Sequence, residues 1–129
     1  MAVTYQLDRE RGLIETLCTG EVTLDEVLHH FQELEADASL PERLDVLLDL
    51  GPMTSLPESE QLREVTRAVD RLKTRVAWGT CAIVARRDAL FGMSRMFQIL
   101  AEGLFARSRV FREREAAEDW LACSGSPGS

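Results

Sequence analysis

The chain opens with two β-prone runs, VTYQL and LIETLC, and in the first of them Val3, Tyr5 and Leu7 alternate with Thr4 and Gln6. A period of two turns one face of a strand toward a core. The polar turn DRERG between the runs, closed by Gly12, predicts a hairpin, and Gly20 ends its second strand. The periodicity then changes. In TLDEVLHHFQELEAD, Leu24, Val27, Leu28, Phe31 and Leu34 recur at helical spacing, and Thr23 followed by Glu26 is a capping-box pattern. Pro41 cannot continue that helix. RLDVLLDL is short and almost continuously apolar, the pattern of a buried strand, and it stops at Gly51 and Pro52.

Beyond the loop GPMTSLPES, Leu62, Val65, Val69 and Leu72 predict a second amphipathic helix, with Arg63, Arg67 and Arg71 in a stripe on its far side. VAWGTCAIVA reads as a further buried strand, and Asp88 as the cap of a third helix, DALFGMSRMFQILAEGLF, from Asp88 to Phe105. Projected at roughly 100° per residue, Ala89, Leu90, Met93, Met96, Phe97, Leu100, Ala101 and Leu104 fall on one broad arc, the core face. Gly92, Ile99 and Gly103, with Met96 at the border, form a second strip, and Phe91 and Phe105 lie on the remaining side. Glycine weakens a helix, so two of them on one side point to a close neighbour there, either another helix of the domain or a second molecule. A short strand, SRVFR, then leads into EREAAEDWLA, a terminal helix anchored by Trp120 and Leu121.

The predicted order is β-β-α-β-α-β-α-β-α, an α/β fold in which a mixed sheet opens with an N-terminal hairpin and is packed with about four helices. At 129 residues the chain makes one domain, expected over residues 1–122, with CSGSPGS at 123–129 as a disordered tail. No run of about 18 or more apolar residues exists and no signal-like N-terminus, so membrane insertion is not expected and the chain reads as cytoplasmic. Cys18, Cys81 and Cys123 are odd in number and far apart, which predicts free thiols, with Cys18 and Cys81 buried in strands.

The net charge of −7 is uneven. Residues 1–60 carry 3 basic and 14 acidic side chains, residues 61–114 carry 12 and 5, and residues 115–129 carry none and 3. Arg63, Arg67, Arg71, Lys73, Arg75, Arg86 and Arg87 are interleaved with Glu64 and Asp70, the pattern of solvated mixed faces, and nucleic acid is not an expected partner.

Chemistry is sparse. No G-x-x-x-x-G-K-S loop, G-x-G-x-x-G turn or G-x-S-x-G elbow occurs, and no cofactor is implied. Glu26, His30 and Glu33 share the outer side of the first helix at metal-ligand spacing, but no second histidine pair or cysteine ligand accompanies them, so no metal is expected; His29 borders the apolar face. Asp49 ends a buried strand, where ligands of open α/β sheets gather and where turn-forming aspartates also sit. It is the one residue an enzymatic reading singles out.

The segments CTGEVTLDEVL, VLLDLGPMTSL, ALFGMSRMFQILAE and RVFREREAAEDWL together resemble the small bacterial stand-alone proteins related to the STAS domain, the sulfate-transporter and anti-sigma-antagonist fold. The resemblance spans about Val3 to Leu121 and rests on diffuse patterning, with no catalytic signature. It implies a non-enzymatic regulatory or protein-interaction module and, as its finer expectation, a switch of the anti-sigma-antagonist kind, in which a strand ending in Asp is followed by a loop carrying a phosphorylated Ser or Thr. Here that switch loop offers Asp49, Thr54, Ser55 and Ser59, with Ser55 best placed; the family's D-S-S-G-L pattern is absent and Pro57 and Glu58 follow instead. The resemblance further implies a protein partner or self-association as a homodimer, through the loop and the third-helix surface of Phe91, Gly92, Met96, Ile99 and Gly103. Related lipid-binding domains imply an alternative, a small apolar metabolite or lipid held between the sheet and Met93, Met96 and Phe97.

Overall fold

A computed structural model describes residues 2–124. The elements are β1 (Val3–Asp8), β2 (Leu13–Cys18), α1 (Leu24–Ala36), β3 (Arg43–Asp49), α2 (Ser59–Leu72), β4 (Ala77–Val84), α3 (Asp88–Leu100), β5 (Arg107–Phe111) and α4 (Arg114–Ser124). This is the order read from the sequence. The five strands form one sheet in the order β1-β2-β3-β4-β5, with β1 antiparallel to β2 and every later pair parallel. Of the expected tail at 123–129, Cys123 and Ser124 belong to α4, and residues 125–129 lie outside the described residues.

Strand alternation divides the molecule into two layers of unequal depth. Ile14, Cys18, Leu44, Cys81 and Ile83 point to one face, which α1, α2 and α3 cover through residues such as Leu34, Leu62, Val69, Leu90 and Phe97. Leu13, Leu47, Ala82 and Val84 point to the other, where Ala117 and Leu121 of α4 form a smaller core over the central strands. Both faces of β3 and β4 are thereby buried, which accounts for the unbroken apolar runs.

One interruption in the ladder is built from specific side chains. Leu44 pairs with Trp78 and Val46 with Cys81, so β4 carries one extra residue opposite Asp45. Asp45 turns its Oδ1 onto that bulge and accepts the Thr80 N–H at 2.8 Å. A Cβ at Gly79 would run into Asp45 Oδ1 and the Arg43 guanidinium, so the position admits only glycine without rearrangement.

The third helix differs from its prediction. It ends at Leu100, not Phe105: Glu102 and Leu104 N–H groups donate to Ile99 and Ala101 carbonyls in turns, and Gly103 takes a φ of +89°, a left-handed conformation that glycine adopts without strain. Leu104 and Phe105 therefore leave the helical wheel, and Phe105 packs on Trp78 with ring centroids 5.5 Å apart. Gly103 does not share a strip with Gly92. Within the helix, Ala89 and Met96 are exposed although the wheel put them on the core arc, and Ser94 is buried instead. The helix is rotated toward Leu90, Ser94 and Phe97 because these face the sheet.

The first helix is also rotated relative to its apolar stripe. Its capping box forms as expected, with Thr23 Oγ1 accepting the Glu26 N–H and Glu26 Oε1 accepting the Thr23 N–H at 3.0 Å. His30, placed by the pattern on the outer face, is buried, and His29, placed at the border, is exposed beside Glu33. The cause lies in β1: Tyr5 meets the His30 ring edge-on with centroids 5.0 Å apart, drawing that side of α1 onto the sheet.

Candidate functional site

Between the sheet and the three helices on its larger face lies a cavity of about 170 Å³. The sheet supplies its floor through Ile14, Val46, Leu48, Cys81 and Ile83. Its walls come from Val27 and Phe31 of α1, Leu62 and Val65 of α2, and Leu90, Met93 and Phe97 of α3. Thr23 lines it and is exposed, so the cavity reaches the surface at the start of α1. Aspartate, glutamate, lysine and arginine are absent from the lining. Cys18 and Cys81, which also line it, are held as neutral thiols: burial pushes Cys18 up to about 11 and Cys81 up to about 12.

Thr16, Thr23, His30, Gln61 and Ser94 are the polar side chains of this otherwise apolar wall, and two of them stand apart. His30 of α1 is 8% exposed and Ser94 of α3 is 4% exposed. Among the described residues, His30 Nδ1 and Ser94 Oγ have no hydrogen-bond partner. Burial lowers the His30 pKa to about 4 against the opposing pull of the Glu33 charge, so the imidazole is neutral at physiological pH. Chemically, the site is a largely apolar container with a few polar points on its wall, of which the buried His30 and Ser94 are unpaired among the described residues.

Asp49 lies on the other face of the sheet and has a different environment. Its Oδ1 accepts the Gly51 N–H at 2.9 Å, the aspartate turn that its position at a strand end allows, and its Oδ2 accepts from Arg114 Nη1 at 3.2 Å. Arg114 also pairs with Glu15 and Glu118, at 3.2 and 3.1 Å. Both Asp49 oxygens are engaged, and the cluster reads as a clasp that fastens the first turn of α4 across β2 and β3.

The switch loop is fastened from both sides. Ser55 Oγ accepts the Val22 N–H at 2.9 Å, and Arg87 Nη2 donates to the Met53 and Ser55 carbonyls at 3.3 and 3.2 Å. Thr54 and Ser59 are exposed. The start of α2 carries Glu58, whose N–H is accepted by Gln61 Oε1 at 2.8 Å, so a carboxylate already occupies the positive end of the helix. Ser59 Oγ lies 3.6 Å from Met96 Sδ, which brings the loop and the exposed side of α3 together. On that side Met96 is 39% and Ile99 68% exposed, and a Cβ at Gly92 would meet nothing within 4 Å. No other element of the described chain covers this strip. Phe91 is half-buried, with the Arg112 guanidinium 4.4 Å from its ring centroid, and Gly103 lies beyond the helix end.

Of Met93, Met96 and Phe97, which sequence reasoning placed against a ligand, Met93 and Phe97 line the cavity and Met96 does not, and His30, Ser94 and Arg114 were missed. A signal existed for His30 and Ser94. His30 stands three residues from Val27 and four from Leu34, and Ser94 four from Leu90 and three from Phe97, so each is a polar residue at a core-facing spacing. Arg114 had none, because its partners Glu15 and Asp49 are remote in sequence.

No protein-family model and no curated protein matches the sequence. Among solved structures, an uncharacterised protein of the DUF3478 family with a SpoIIAA-like fold, from Shewanella loihica PV-4, is similar over 93% of this chain and 92% of its own, at 16% identity and a TM-score of 0.58. At that identity the likeness concerns the fold, and it agrees with the element order and mixed sheet described above. The chain has a SpoIIAA-like fold.

Proposed function

We propose that this domain is a non-enzymatic binding module that holds a small apolar molecule in the cavity beneath α1, α2 and α3. The cavity itself carries the reading. Protein interiors are close-packed, so a concave apolar space of about 170 Å³ that reaches the surface is a feature a ligand can use. A ligand seated there buries its own apolar surface, and an apolar cavity of about 150 Å³ is large enough for benzene. Met93 adds an adaptable wall, and the half-buried Val27, Phe31 and Val65 allow entry between helices. The module works in the cytoplasm, where thiols such as Cys18 and Cys81 stay reduced; among the described residues no helix is long and apolar enough to cross a membrane.

Native mass spectrometry of freshly purified protein tests the reading. A bound mass of one small organic molecule, lost on denaturation, is the expected result. Apo protein only, together with no thermal shift from any member of a panel of small apolar compounds, would sink it.

A second reading has its own support. The loop residues Thr54, Ser55 and Ser59 adjoin the exposed strip of Gly92, Met96 and Ile99, with Ser59 on Met96 as the point of contact. This surface suits a protein partner or a second copy of the chain in a regulatory role, and it is separated from the cavity only by the thickness of α3.

A further inference from the structure

We infer that the cavity selects a compact, neutral ligand carrying a hydroxyl-like hydrogen-bonding group, of the size of a substituted phenol or cyclic alcohol, and that Ser94 reads that group, with His30 a separate polar point on the same wall. This rests on the ligand-binding reading above and specifies the chemistry of what is bound.

Buried polar atoms are almost always paired, and here two unpaired ones from different helices line one cavity. Ser94 is the more telling. A serine or threonine within a helix ordinarily returns its hydroxyl to the carbonyl four residues back, as Thr66 does to Leu62 at 2.8 Å in α2. Ser94 makes no such bond, so its donor and acceptor remain available. His30 has aromatic neighbours, Tyr5 and Phe31, which hold the ring by its edges and leave Nδ1 unpaired. A neutral imidazole nitrogen serves as acceptor or donor according to tautomer and the Ser94 hydroxyl both gives and takes, so each side chain by itself matches a hydroxyl on a ligand.

Charge and size narrow the class. The lining carries no Asp, Glu, Lys or Arg and its one histidine is neutral, so a carboxylate or ammonium group inside would be desolvated without a counter-charge. The volume accommodates about one ring with small substituents and excludes a long acyl chain from the enclosed part.

Isothermal titration at pH 7 with phenol, toluene and benzoate, on wild type and on a His30→Leu/Ser94→Ala double variant, tests this. Wild type is expected to bind phenol and toluene and not benzoate. The double variant is expected to keep toluene within a few-fold and to lose at least about tenfold in phenol affinity, because the buried hydroxyl is left unpaired. Equal effects on phenol and toluene, or no effect on phenol, would overturn the assignment of Ser94 while leaving the cavity as a binding site. Benzoate binding as tight as phenol would overturn the neutral-ligand claim. Binding of neither phenol nor toluene by wild type would overturn both this inference and the ligand-binding reading. If circular dichroism shows the double variant unfolded, Ser94→Ala alone, which removes one atom, is read by the same ratio.

Discussion

His30 concentrates the relation between stability and binding in one side chain. Its folded pKa of about 4 lies below the ordinary 6.5 because burial disfavours the imidazolium, with the Glu33 charge opposing. Above pH 6.5 the ring is neutral in both folded and unfolded chains, and the stability it permits is fully present. As pH falls toward 4 the unfolded chain takes up a proton that the folded chain refuses, so stability falls with pH. By about pH 4.5 the loss attributable to this group is on the order of 2 kcal/mol. Urea unfolding at pH 7 and pH 4.5 measures it: wild type is expected to lose about 2 kcal/mol more than His30→Leu between the two conditions. Equal losses in the two proteins would mean that His30 is solvated and does not wall the cavity.

At the scale of elements, the joint between β3 and β4 is specified by three residues acting together. Asp45 needs the Thr80 amide, Thr80 offers it only because of the bulge, and the bulge leaves no room for a side chain at Gly79. Gly79→Ala is therefore expected to destabilise the protein by about 1–3 kcal/mol, the usual range for overpacking, seen as a lower denaturation midpoint with an unchanged slope. A midpoint equal to wild type would show that the Asp45 carboxylate swings aside without loss. The same substitution at Gly92, where the added methyl meets nothing, serves as the contrast: glycine costs a helix interior up to about 1 kcal/mol relative to alanine, so Gly92→Ala is neutral to stabilising. Two glycines inside regular elements thus carry opposite meanings.

For the whole molecule, α3 separates two surfaces of different character, a buried side that walls the cavity and an exposed side around Met96 and Ile99. Ile99 is 68% exposed, so Ile99→Asp is expected to change monomer stability by no more than about 0.5 kcal/mol. Size-exclusion chromatography with light scattering on wild type and this variant then isolates association. A wild-type dimer that becomes monomeric with Ile99→Asp is the outcome the self-association reading expects; two monomers would remove a homodimer through this strip and leave only a different partner for it.

The linear pattern by itself determined the order of nine elements, the hairpin, the capping box at Thr23 and the double burial of β3 and β4. These follow from short-range rules, a period of two or of 3.6 and the chemistry of caps and turns, that each segment carries within itself. Tertiary structure alone decided which way the helices turn on the sheet. The apolar stripe of α1 spans enough of its circumference that several rotations bury it, and contact with Tyr5 selected the one that brings His30 inside. α3 was cut at Leu100 and rotated to bury Ser94 in place of Met96, and Arg114 was brought to Glu15 and Asp49 from far along the chain. A cavity is the space left when such rotations are combined, so it belongs to no segment, and its two unpaired polar side chains come from helices far apart in the chain that fold onto one sheet face.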